Sequence, residues 1–92
     1  MFFRLCSDHL SIEAIPRTSL ILDLNRLKEV PFENYEVMMW TPHFVVLKNH
    51  VGHEITLRKN GRMIIRKAAS ESEAQRAAID VMDAIESSLT RR

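Results

Sequence analysis

The sequence predicts an α+β domain of two layers, a curved antiparallel sheet with two helices on one face, in the order β-α-β-β-β(-β)-α. Three observations lead there. In "HEITLRKNGRMIIRK" apolar and polar side chains alternate in period two around an Asn60-Gly61 turn signal, and three or four antiparallel strands are expected between residues 35 and 68. From Ser70 onward apolar residues recur at helical spacing instead. The chain of 92 residues has room for one domain, 1–92, with a single two-layer core, but not for a second lobe or a deep cofactor cleft.

Taken in order, residues 1–9 are an N-terminal extension able to add a strand, and "HLSIEAI" alternates as the first expected strand. "LILDLNRLKEVPF" reads as a shorter helix, capped at Ser19 or Asp23 and stopped before Pro31, with Leu20, Leu24, Leu27 and Val30 inward. "YEVMMW" is a short strand or extended segment ending at Pro42, and "HFVVLKN" is a β-rich run joined to the next hairpin through His50-Val51-Gly52-His53. In "HEITLRKNGRMIIRK" the loop length decides which side chains share a face. A two-residue loop groups Ile55, Leu57, Ile64 and Arg66; a three-residue loop with Gly61 in a left-handed bulge groups Ile55, Leu57, Met63 and Ile65. The second register buries four apolar residues and no charge, and it turns Glu54, Thr56, Arg58, Ile64 and Arg66 to the other face.

The last element is the clearest. Ser70 followed by Glu73 is a capping box, and Ala74, Ala77, Ala78, Val81, Met82, Ile85 and Leu89 form one stripe of a helix of about five turns. Gln75, Arg76, Asp80, Asp83 and Glu86 lie opposite, with Arg76 and Asp80 spaced for an i,i+4 contact.

Apolar residues at 46%, charged residues at 27% and only 2 Gly and 3 Pro describe an ordered globular chain. The formal net charge is +1, so a basic surface has to come from uneven placement of charge. A lone Cys6 excludes an intramolecular disulfide and points to a reducing compartment. Arg4, Asp8 and Glu13 interrupt the start before a leader's apolar stretch could form, and no apolar run reaches bilayer-spanning length. A cytoplasmic protein without a membrane partner is the expectation.

Five bases, Arg58, Lys59, Arg62, Arg66 and Lys67, fall within ten positions, and Lys48 precedes them. Such a cluster suits phosphate contacts; on an exposed hairpin it also serves solubility and guards an edge. Cys6-x-x-His9 and His50-x-x-His53 carry zinc-ligand types at local zinc-like spacing, but without a fold context that joins them no metal site is expected. No nucleophile with an ordered base can be assembled, and two glycines make no phosphate-cradling loop. Neither an enzyme nor a cofactor is expected. Met38, Met39 and Trp40 form an apolar cluster suited to a core or a dimer seam.

The run "NGRMIIRKAASESEAQRAA" resembles the strand-to-helix segment of one half-repeat of the TATA-binding protein family, and "TPHFVVLKN" and "LDLNRLKEV" extend the resemblance upstream. The resemblance implies helices on a convex side and a concave sheet that meets nucleic acid. Carried over by position, that sheet face presents Thr41, His43, Val45, Leu47 and Asn49, then Glu54, Thr56 and Arg58, then Ile64 and Arg66. The positions of the family's phenylalanine wedges fall on Thr41 and Arg58, with Trp40 adjacent to the first. The resemblance further implies a homodimer in which the first strand pairs with its copy, since the family completes its saddle from two halves. The functional expectation is a non-enzymatic domain that binds nucleic acid or an associated protein through its open sheet face; the alternative is a protein-interaction or structural module whose sheet face is only solvated.

Overall fold

The computed structural model describes residues 2–5, 11–16, 24 and 35–89. Six strands form one antiparallel sheet: β1 (Phe2–Leu5), β2 (Ser11–Ile15), β3 (Tyr35–Trp40), β4 (Phe44–Asn49), β5 (Glu54–Arg58) and β6 (Met63–Arg66), in spatial order β1-β2-β6-β5-β4-β3. A 19-residue helix, α1 (Glu71–Leu89), packs over β2 and β6.

This corrects the expected architecture. The described residues hold six strands and one helix, not a sheet with two helices on one face; β1 is a strand within residues 1–9, the extension able to add one. The helix expected between Ser19 and Pro31 lies outside the described residues except for Leu24, which is buried in the core. The side chain of Leu89 also lies outside them.

Two hairpin loops of the same design set the parity of the central strands. Arg58 N–H donates to the Arg62 carbonyl (2.9 Å) and Gly61 N–H to the Arg58 carbonyl (3.0 Å); likewise Asn49 N–H donates to the His53 carbonyl (3.1 Å) and Gly52 N–H to the Asn49 carbonyl (3.0 Å). Each loop thus has three residues and ends on a glycine in the left-handed region, Gly61 at φ 85° and Gly52 at φ 94°. Asparagine side chains brace both: Asn60 Oδ1 accepts from Arg62 N–H, and Asn49 Oδ1 accepts from His53 N–H. The first loop places Leu57 opposite Met63 and Ile55 opposite Ile65, the register that groups four apolar residues. The second places Val45 opposite Leu57 and Leu47 opposite Ile55.

One face of the sheet therefore carries Ile12, Ala14, Val45, Leu47, Ile55, Leu57, Met63 and Ile65, all buried with Ala74, Ala77, Ala78, Val81, Met82 and Ile85. Three alanines in the helix stripe let its backbone approach the large sheet residues closely. Ser70 Oγ accepts from Glu73 N–H (3.2 Å) and starts the helix, while Arg76 and Asp80 meet at 3.4 Å on the outer side.

Edge strand β3 contains a bulge between Val37 and Met39. Tyr35 and Trp40 are an odd number of residues apart, so a regular strand would send them to opposite faces. The extra residue restores the parity, and both rings pack against the core. Burial, and secondarily the nearby Asp80 carboxylate, push the Tyr35 phenol above its ordinary value.

Candidate nucleic-acid interface

No described element covers the other face of the sheet. Cross-strand pairing there sets three rows. Ser11, Arg66, Glu54, Lys48 and Glu36 form one; Arg4, Glu13, Ile64, Thr56, Val46 and Met39 form the second. The third row includes Arg58 opposite Phe44, beside the β3–β4 and β5–β6 turns.

Of the residues expected on this face, Thr56, Arg58, Ile64 and Arg66 lie on it, with Lys48 and Glu54. Val45, Leu47 and Asn49 do not. Val45 and Leu47 are 1% and 0% exposed and point into the core, because the three-residue loop at His50–Gly52 pairs them with Leu57 and Ile55. Asn49 is committed to the same loop: its Oδ1 accepts from His53 N–H (2.8 Å), which fixes the amide so that Nδ2 donates to His53 Nδ1 (3.1 Å). The open-face residues of β4 are instead Phe44, Val46 and Lys48.

Thr41 and His43 sit in the β3–β4 turn. The Thr41 hydroxyl accepts from His43 N–H (3.2 Å) and Phe44 N–H (3.0 Å) and donates to the Phe44 carbonyl (3.0 Å), to which Thr41 N–H also donates (2.9 Å). Both backbone polar groups of Phe44 are therefore tied to Thr41, and the aromatic ring starts from a fixed backbone. His43, Phe44, Thr56 and Arg58 line a shallow depression.

The basic cluster divides in two. Arg62 lies 3.6 Å from Glu13, which Arg4 also pairs, and Lys67 Nζ lies 2.8 Å from Glu54. The Glu54 carboxyl is held below its ordinary value first by that hydrogen bond, against the pull of partial burial, and further by the charges of Lys67, Arg66 and Lys48. Lys67 reaches Glu54 from a left-handed backbone at φ 64°, which a side chain bearing a Cβ rarely adopts. Arg62 and Lys67 are thus paired across the strands, while Arg66 and Lys48 flank Glu54 from the neighbouring strands. Among the described residues Lys48, Arg58, Lys59 and Arg66 form no ion pair, and of these Arg58 and Lys59 stand at the corner beside Phe44. Helix α1, on the opposite layer, carries Glu71, Glu73, Asp80, Asp83 and Glu86 against a single Arg76.

Cys6 and His9 lie outside the described residues. His53 is buried and its Nε2 lies 3.9 Å from the Glu73 carboxylate, beside His50 in a cleft under the helix; among the described residues no group of three or more metal-ligating side chains is found. No described helix is long and apolar enough to cross a membrane.

Sequence reasoning missed Phe44, Val46, Glu13 and Arg4 as face residues. The signal for the first two was present: Asn49-His50-Val51-Gly52-His53 has the spacing of Arg58-Lys59-Asn60-Gly61-Arg62, with glycine fourth of five. Applying one loop rule to both turns orients β4 correctly.

No protein-family model matches the chain, and neither a curated protein nor a solved structure matches it. The resemblance of residues 60–78 to a TATA-binding half-repeat gains no support from these comparisons.

Proposed function

We propose that this chain is a non-enzymatic domain that binds nucleic acid through the corner of its open sheet face formed by the β3–β4 and β5–β6 turns. The observation that carries the reading is the placement of Arg58 and Lys59, with no carboxylate partner among the described residues, beside Phe44, on the layer opposite an acidic helix. A field separated in this way attracts a polyanion to one side and repels it from the other. The lone Cys6 favours a reducing, cytoplasmic setting for this activity.

The test is a titration of the protein with mixed-sequence DNA and RNA, single-stranded and duplex, over a series of salt concentrations. Arg58→Glu with Lys59→Glu is expected to weaken binding and to flatten the slope of log affinity against log salt by about 1 to 2. Unchanged affinity and slope would overturn the reading.

A second reading is favoured by one specific feature. Val37, Met38 and Met39 are each about half exposed along edge strand β3. An edge of this kind accepts another strand, and a second copy of the chain would pair there antiparallel about a two-fold axis. The route to a dimer expected from the sequence, through the Ser11–Ile15 strand, is closed because β1 occupies that edge. Sedimentation equilibrium is expected to show a dimer that Met38→Lys abolishes; a 10.7 kDa species alone at high concentration removes the idea.

A further inference from the structure

We infer that the depression lined by His43, Phe44, Thr56 and Arg58 takes an unpaired base of a single-stranded nucleic acid, stacked on Phe44, with Arg58 and Lys59 on the neighbouring phosphates. The inference rests on the nucleic-acid reading above and sharpens it to a strand state and a contact.

Phe44 is only partly buried, although the adjacent Val45 is fully enclosed in the core. On the open face its cross-strand partner is Arg58, and Val46 and Thr56 lie one row away. Because its N–H and carbonyl are both bound by Thr41, little backbone order remains to be gained when a flat ligand settles on the ring. A base presents a free π-face for such a ring only when it is unstacked, as in single strands, loops and ends. The hydroxyl of Thr56 and the imidazole of His43 supply hydrogen-bonding groups at the rim of the same depression.

Charge placement separates this occupant from a duplex. A duplex laid across the sheet would bring two phosphate ridges over Glu13, Glu36 and Glu54, which the strand pairing distributes across the face. Those carboxylates already absorb the cations around them, notably Arg4 and Arg62 on Glu13 and Lys67 on Glu54. Of the face cations without an ion pair among the described residues, Lys48 and Arg66 flank Glu54, and Arg58 and Lys59 stand together beside Phe44, within reach of one or two phosphates of a single chain. That pattern fits a short single-stranded footprint.

Fluorescence anisotropy with a labelled ten-nucleotide single strand, the same sequence as a duplex, and an abasic strand of equal charge tests this. The single strand is expected to bind more tightly than the other two. Phe44→Leu, which keeps an apolar side chain, is expected to weaken binding roughly ten- to hundredfold, and Phe44→Trp to preserve or strengthen it. Circular dichroism of both variants controls for folding. If the abasic strand binds as well as the intact one, or if Phe44→Leu is silent while Arg58→Glu with Lys59→Glu destroys binding, stacking is wrong and the parent reading survives. Preference for the duplex also overturns the inference. Absence of binding by any of the three overturns both.

Discussion

Glu54 shows how a single residue alters the meaning of the basic cluster. In the sequence it is one acid ahead of five bases; in the fold it stands on β5 with Lys48 on one side and Arg66 on the other, and Lys67 closes on it from the end of β6. Its lowered carboxyl contributes stability that is present in full above the ordinary value of 4.5 and is lost as pH falls from there through the folded-state value. Glu54→Gln is therefore expected to lose less stability than the parent protein as pH falls below the ordinary carboxyl value, as read from urea midpoints. Equal losses in the two proteins would show that Glu54 is not held this way. The identity of the bases was legible in the chain. Their neutralisation was not, because Glu13 and Glu54 meet their partners only through strand pairing, across separations such as Glu13 to Arg62 that no local pattern encodes.

At the scale of elements, legibility followed the strength of the local signal. The α1 stripe, its Ser70 cap and the Asn60-Gly61 loop each combine a period with a punctuating residue, and each forms where the pattern places it. β3 has no such regularity: "YEVMMW" holds apolar side chains at every position but Glu36, so period two gives no face, and the bulge that brings Tyr35 and Trp40 to the core leaves no mark in composition. β4 was misoriented for a different reason, since a positional resemblance was applied to a strand whose own loop dictates the opposite parity. The Gly52 loop offers a direct check. A Cβ at Gly52 would meet nothing within 4 Å, so Gly52→Ala isolates the backbone term of a left-handed residue. It is expected to destabilise the protein by about 1 to 2 kcal/mol in urea unfolding, with Gly52→Asn milder because asparagine tolerates that region. A neutral Gly52→Ala would mean that the loop is not held in the left-handed conformation.

For the molecule as a whole, the two layers differ in charge as well as in secondary structure. Among the described residues the sheet's open side and its flanking turns hold every Lys and Arg but Arg76, alongside Glu13, Glu36 and Glu54, while the helix holds five carboxylates against that one base, so charge is separated across the two described layers. Among the described residues no strand pairs with the outer edges of β1 and β3, and the β3 bulge shifts the ladder register at one of them. The matched loops at Gly52 and Gly61 have a further effect. They grip β5 at its two ends, and β5 carries its neighbours β4 and β6 with it. Sliding any one of these three strands by a single position would undo a glycine turn and turn the greasy half of that strand toward water. Misaligned forms of the central sheet are thereby excluded by geometry at both ends at once, which leaves the outer strands as the places where this architecture can yield.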